Sequence, residues 1–516
     1  MNSKAKLLLG TGIVIVLGVG AYTYLGNQVE ISIQSEIQAF NETNKGKYNI
    51  SYDSIDANPA LGKFNLKGVS LELTEIGGTS FIENATLQGS VKDGSFVLTG
   101  VSADTFKLES DKANITFSEF NLTSPDLAIF GDEDKLKKLR EFPINSFHVK
   151  DVKIDATSHA SGQSFEMSLD EYTIDVDESS QALEKFELTD LQFKTVINNI
   201  LPMNMNYGNI VIKGGDLSWF GSAIELSQNS LTNDLDNMNE AEKILELQKA
   251  QSVIMKEMMP VFLNYMGIDS FEWSDFSVSL PNGSDVSFDR LYVEDLKRTD
   301  NIVVGSKSGW DNLAIPDLTG LDPNFDAQLN LIGLKGTSLS MVSETAYDQN
   351  KKTNTSNSQI SIENILEASV DFTLNDFEPK TYYQSALAIY SPEIQQNPDK
   401  VIELYTSLFN NFSGNITLTD KSIINRFING YAKQTGADPE ALRAQFTGLV
   451  IANLTQSFGS YAPQGLAEAI SGYMAASSTP IKLELATKQK LTPETVNQIS
   501  ATNWGDYIKV DLKQAN

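Results

Sequence analysis

The chain is 516 residues long, contains no cysteine and two histidines, and carries a formal net charge of −28. Such an acidic balance argues against nucleic acid and anionic headgroups as partners. The absent thiols and scarce imidazoles remove thiolate chemistry and nearly all transition-metal sites. A chain of this length without disulfides must be stabilised by core burial, and it exceeds what one core usually holds.

Lys4 and Lys6 precede an uncharged run from Leu7 to Leu25. At about 1.5 Å per residue, that run crosses a hydrocarbon core of roughly 30 Å. Positive charge before it, with Glu30 and Glu36 after it, orients the N-terminus to the cytoplasm and exports the body. This predicts a cytoplasmic stub and transmembrane anchor over 1–26. A cleaved signal peptide is the other reading, with Val19-Gly20-Ala21 as the small-residue site. Ile31, Ile33, Ile37 and Phe40 then lie at helical spacing.

The region 27–226 reads as the first β-rich region. Its key stretch is Phe64-Asn65-Leu66-Lys67-Gly68-Val69-Ser70-Leu71. Alternation of period two marks a strand buried on one face, but Leu66 and Val69 are three apart, so the phase slips. A β-bulge at Gly68 would absorb the extra residue and return Phe64, Leu66, Val69 and Leu71 to one face. Similar stretches begin at Phe96, Phe147, Phe186, Phe271 and Val286, with Gly100, Asp151, Asp190 and Asp275 at the equivalent position of the first four and Arg290 in the last. Repetition predicts a curved, bulged antiparallel sheet with a continuous apolar face. That face is either a filled core or a groove open to acyl chains. The lipid-facing candidates on it are Phe64, Leu66, Val69, Leu71, Phe147, Val149, Phe186 and Leu188.

Asp132 to Glu141 reads as a charged helix with an acidic start and a basic end. The segment 227–267 holds the longest predicted helix, Met238 to Met266, opened by Asn239 with Glu242, kinked by Pro260 and stopped by Gly267. Met255, Met258 and Met259 on it suit either core packing or a lipid-facing surface. A second β-rich region spans 268–375 and includes a hairpin turning through Asn350 to Asn354. Roughly ten to fourteen strands are expected in all, at about 4.8 Å each.

The 376–516 region is α/β. Helices are expected over Tyr382–Ile389 and Val401–Phe412, after Asp420, and from Asp438-Pro439-Glu440 and Thr492-Pro493-Glu494. Asn415–Leu418, Ile481–Ala486 and Ile508–Leu512 read as strands. These elements suit a cap that closes one edge of the sheet.

Chemical motifs are sparse. Asp175-x-Asp177-x-Ser179 lacks the glycine and the terminal glutamate of a calcium loop, having Ser180 and Phe186 there. Gly305-Ser306-Lys307-Ser308-Gly309 matches neither a nucleophile elbow nor a P-loop and reads as a loop between strands. His148 points off the apolar face, His159 sits in a turn, and neither has a companion at ligand or triad spacing. No catalytic residue, metal site or cofactor is expected.

The anchor, Tyr52-Asp53-Ser54-Ile55, and the Gly62 to Leu71 pattern together resemble the opening of bacterial AsmA-like and YdgA-like envelope proteins. Thr337 to Met341 and Ile360 to Asn364 resemble the repeated strands of the YdgA-like family. Leu418 to Ser422 followed by Arg426-Phe427 resembles a segment near the end of related proteobacterial chains of unknown function. The resemblance implies a membrane-anchored periplasmic β body, and AsmA-like relatives are linked to phospholipid transport.

The fold expected is therefore mainly β with α: curved antiparallel sheets, a long packing helix and an α/β C-terminal cap behind a transmembrane helix. The expected function is lipid binding or transfer, or envelope maintenance, from the inner membrane. The alternative is a non-enzymatic scaffold whose partners are other envelope proteins.

Overall fold

The computed structural model describes residues 37–38, 41–42, 48–58, 62–73, 78–92, 95–110, 113–124, 143–158, 163–197, 201–217, 267–279, 285–314, 334, 336–389, 397–500 and 502–515. The Leu7–Leu25 run, the Asp132–Glu141 and Met238–Met266 helices, His159 and the methionine cluster lie outside the described residues. The fold is mainly β, built on extensive antiparallel pairing with a few helices. Two units divide it.

The first unit contains β1 (Tyr48–Ser51), β2 (Ser54–Asn58), β3 (Lys63–Leu73), β4 (Gly78–Lys92), β5 (Ser95–Ala103), β6 (Phe106–Glu109), β7 (Ala113–Phe117) and β8 (Glu119–Thr123). It continues with β9 (Ser146–Ser158), β10 (Gln163–Asp177), β11 (Ala182–Thr189), β12 (Gln192–Ile197), β13 (Leu201–Asn206), β14 (Asn209–Gly214) and β15 (Ile268–Ser279). Short strands come in pairs that share one level. β1 and β2 both pair with β3, β7 and β8 with β9, β11 and β12 with β10, and β13 and β14 with β15. β5 and β6 likewise share β4.

The break between such partners falls at one line across the sheet. Asp53 stands opposite Gly68, and the line continues through Glu83, Thr105, Ser118, Asp151, Asp170, Asp190, Gly208 and Asp275. Backbone bonds stitch it, including Asp53 N–H to Lys67 O at 2.9 Å and Ser118 N–H to Lys150 O at 3.0 Å. The backbone is left-handed at Gly68 (φ 59°), Asp151 (49°), Asp190 (51°), Gly208 (55°) and Asp275 (60°). Glycine and aspartate are among the residues that tolerate this region best. We call this line the crease.

The bulge expected at Gly68 is absent. β3 keeps one register with β4 from Lys63↔Gln88 to Leu73↔Gly78, straight through Gly68. A bulge corrects one strand against its neighbour, whereas here neighbouring strands take the same extra residue at the same place. The slip is collective: the register is the same on both sides, and only crease residues such as Gly68 and Asp151 drop out of the ladder. Gly100 does sit beside a true register shift, between Gln88 and Gly89 of β4. The Val286 stretch has no break at Arg290, which pairs in register with Asp311; the shift in its strand comes later, between Glu294 and Lys297, where Asp295 has φ 55°.

The second unit contains β16 (Asp285–Thr299), β17 (Ile302–Ala314), β18 (Ser338–Asp348), β19 (Thr353–Ile362), β20 (Leu366–Leu374), β21 (Phe412–Asp420), β22 (Ile481–Thr487) and β23 (Ile508–Gln514), paired antiparallel in that order. Gly305 to Gly309, expected as a loop, runs inside β17. A Cβ on Gly309 would lie 2.2 Å from the Met341 carbonyl, so the glycine serves close strand packing rather than a turn. The described residues hold 23 strands, more than the ten to fourteen expected, and eighteen remain when each of the five creased pairs is counted once.

The α-helices among the described residues of the second unit are α1 (Pro379–Ile389), α2 (Pro398–Leu408), α3 (Ile423–Thr435), α4 (Pro439–Phe458), α5 (Leu466–Met474) and α6 (Pro493–Gln498). Their ends follow local chemistry. The Asp420 carboxylate accepts from Ile423 N at 2.7 Å ahead of α3, and Gly436 ends that helix at φ 72°. Asp438 accepts from Ala441 N with Pro439 at the first helical position. Thr492 and Thr495 cap α6 reciprocally. Leu466, Ala469 and Ile470 of α5 pack with Ile481 and Leu512 of the sheet, while Ile424, Ile428 and Leu442 join α3 to α4. Arg443 is buried between them, donating to Met474 O at 2.8 Å and Asn425 Oδ1 at 2.7 Å.

Candidate functional site

The pairing of the first unit aligns its apolar residues into rows that run across strands. On one side of the crease lie, in register, Ile55, Leu66, Ala85, Ala103, Phe120, Val149, Tyr172, Leu188, Ile210 and Trp273. Beside that row lie Ala57, Phe64, Leu87, Val101, Leu122, Phe147, Ile174, Phe186, Ile212 and Phe271. Beyond the crease the same face carries Ile50, Leu71, Ser80, Leu108, Ile115, Ile154, Met167, Phe193, Met205 and Val278. Without the crease, one half of these rows would point to the opposite side.

Burial along the rows is graded. Phe64 and Leu66 are 2% exposed, Val69 3% and Val101 1%, so the β3–β8 end is a sealed core, joined by Ile37. From β10 to β15 most of the face is half-buried, as at Leu188, Phe193, Ile210, Trp273 and Phe276, while Leu169, Val176 and Ile268 are buried. Aromatic rings tile this surface. Phe120, Phe147, Tyr172 and Phe186 follow one another at 5.6, 5.4 and 5.4 Å. Phe193 lies 5.5 Å from Tyr207, which stacks on Trp273 at 6.1 Å and meets Phe276 edge-on at 5.9 Å. Trp273 Nε1–H donates to the Tyr207 carbonyl at 2.6 Å, so the indole presents its apolar ring to the face. Burial pushes the Tyr172 phenol above its ordinary pKa.

Of the sequence candidates, Phe64, Leu66, Val69 and Val149 therefore sit in the closed part of the face. Leu71, Phe147, Phe186 and Leu188 are half-buried. Met255, Met258 and Met259 lie outside the described residues. The aromatic group Phe193, Tyr207, Trp273 and Phe276 was not singled out by sequence, although Phe193, Trp273 and Phe276 belong to the very stretches that carry the strand pattern.

The opposite face is polar. Asn209 links the crease, accepting from Asp190 N at 3.2 Å and donating to Asp275 Oδ2 at 3.4 Å. His148 does have a companion: its Nε2 is 3.0 Å from Glu171 Oε1, to which Thr173 Oγ1 also donates at 3.3 Å. Sequence spacing hides this pair because β9 and β10 bring it together across the hairpin. Asp177, in the rejected calcium motif, accepts from Ser179 N, Ser179 Oγ and Ser180 N and so closes the β10–β11 turn. These bonds hold its carboxyl below the usual range, led by the Ser179 hydroxyl. Among the described residues no group of three acidic or imidazole side chains is placed to hold a metal.

In the second unit the polar face carries a shallow cleft of about 520 Å³ lined by Asn312, Ser340, Ser361, Glu363, Glu367 and Lys421. Lys421 and Glu367 pair within it at 3.2 Å. Nearby, Arg290 lies 4.1 Å over the buried Tyr292 ring, and Glu294 binds both Arg290 at 2.9 Å and Lys307 at 2.8 Å. The Lys307 ammonium bonded to Glu294 keeps that carboxyl below its ordinary pKa.

A family model described as "Uncharacterized protein" matches residues 359–509, which run from β19 into β23 of the second unit. No curated protein matches the chain. Among the described residues no helix is long and apolar enough to cross a membrane.

Proposed function

We propose that the chain is an inner-membrane-anchored periplasmic protein, similar to AsmA-like and YdgA-like envelope proteins, whose first unit holds the acyl chains of lipid. In this reading the creased sheet curves into a trough, and the helices of the second unit cap their own sheet. The protein is read as non-catalytic, with phospholipid as ligand. The observation that supports this is the fall in burial along rows that are apolar but for Ser80, from a mostly buried end at β3–β8 to a mostly half-buried aromatic end at β10–β15. An isolated core would be expected to close over both ends, because half-buried aromatic surface forfeits part of the gain from burial, about 25 cal/mol per Å².

The sealed end favours the scaffold alternative for that part of the sheet, so the two readings separate by position. The test is native mass spectrometry of the body from residue 27 onward, purified without detergent. Co-purifying phospholipid that is lost in Phe193→Glu and Phe276→Glu, with the circular dichroism of the parent retained, supports the trough. A clean apo mass in a well-folded parent overturns it and leaves the scaffold.

A further inference from the structure

We propose that β23, the free edge of the second unit's sheet, pairs antiparallel with β23 of a second copy of this chain, pivoting on Val510. The two backbone bonds at its ends, Lys488 N to Tyr507 O at 2.7 Å and Ala515 N to Pro480 O at 2.7 Å, belong to one continuous register with β22. Alternation along an antiparallel ladder then directs the N–H and C=O groups of residues 509, 511 and 513 inward to β22. Those of Ile508, Val510 and Leu512 point outward. Among the described residues β23 pairs with β22 alone, and no bulge or proline interrupts it.

Chains normally blunt such an edge, and this one does so elsewhere. At β1 the Asn41 side chain occupies both outward groups of Ile50, donating to its carbonyl at 2.8 Å and accepting from its N–H at 2.7 Å. Among the described residues no side-chain bond of that kind is made to Ile508, Val510 or Leu512 of β23.

The side-chain pattern identifies the occupant. With Val510 opposite Val510 of the second copy, Ile508 meets Leu512 and Lys509 meets Asp511, each twice by the two-fold symmetry. Cross-strand pairs of opposite charge and of apolar residues are both favourable. A pivot at Leu512 would instead use Lys513, which is already bound to Glu484 at 2.7 Å, and Gln514, which donates to Glu468 O at 3.4 Å. The pivot at Val510 leaves those contacts in place; Lys509 and Asp511, exposed and paired at 2.6 Å within the strand, exchange this bond for the same one across the two-fold axis, and the apolar side chains stay on the face packed by α5.

Because the chain has no cysteine of its own, the register is directly testable. Full-length Lys509→Cys and Asp511→Cys chains are oxidised separately and as an equal mixture, then run without reductant. The mixture is expected to give a disulfide-linked dimer and each variant alone a monomer. Separately, Asp511→Lys is expected to weaken dimerisation in sedimentation about tenfold or more, and Lys509→Asp with Asp511→Lys to restore it. A mixture that stays monomeric, equal crosslinking by one variant alone, or crosslinking only between Asp511→Cys and Lys513→Cys overturns the proposal. Circular dichroism of each variant separates loss of pairing from loss of fold.

Discussion

Gly68→Ala tests the crease at its tightest point. A Cβ there would enter a left-handed backbone at φ 59° and lie 2.0 Å from Asp53 Oδ2. The conformation costs a non-glycine residue about 1–2 kcal/mol. The Asp53 side chain is exposed and swings aside at a small further cost, giving about 2 kcal/mol in total. Native-state hydrogen exchange is the suitable assay, because two units need not unfold together and a single melting curve would mix them. The amides of β3 and β4 should exchange about thirtyfold faster, while those of β20–β22 do not change. Asp151→Gly is the control. It relaxes φ 49° at another point on the crease but loses the Ser118 hydroxyl bond and adds unfolded-chain entropy, so its net effect should be small. Unchanged exchange in Gly68→Ala would mean that the crease does not depend on left-handed backbone, and the account of the shared slip would fail.

Leu66→Asp places an unpaired charge where Leu66 is 2% exposed and should unfold the first unit, seen as lost protection in β3–β9 with β20–β22 intact. Arg443→Ala removes two charge-assisted bonds and leaves Met474 O and Asn425 without their donor, so the transition of the second unit should lose about 2–4 kcal/mol in urea. The depressed Asp177 carboxyl contributes stability to the β10–β11 turn that is present above the ordinary carboxylate range and lost as pH falls through its folded pKa. The Ser179 and Ser180 amide resonances should therefore shift only at a pH below that of an ordinary aspartate, and Asp177→Ala should abolish the titration.

Sequence reading went furthest where the signal is local. Asp438-Pro439, Thr492-Pro493 and the Asp420 side chain open helices where expected, because a cap needs only its own neighbours. The three-residue step from Leu66 to Val69 likewise gave away a phase slip, and Phe64 and Val69 do share one face. What one strand cannot reveal is its neighbour's behaviour. A lone slip implies a bulge; only the pairing of β3 with β4 shows both slipping at one line. Tertiary pairing also explains the other differences. Gly305 to Gly309 looks like a loop until Met341 is seen pressed against it, and the His148–Glu171 contact exists only once β9 and β10 are joined. α5, Leu466–Met474, escaped because its short apolar face lies in a stretch with few charges to mark the opposite side.

The lipid reading meets its most direct test in the membrane itself. Full-length protein is exposed to phospholipid bearing a photoactivatable group on its acyl chain, and the labelled peptides are mapped by mass spectrometry. Adducts concentrated on β12 to β15, around Phe193, Tyr207, Trp273 and Phe276, are the predicted result. Label confined to the Leu7–Leu25 segment, or scattered over the polar face with β12 to β15 unmarked, would contradict it.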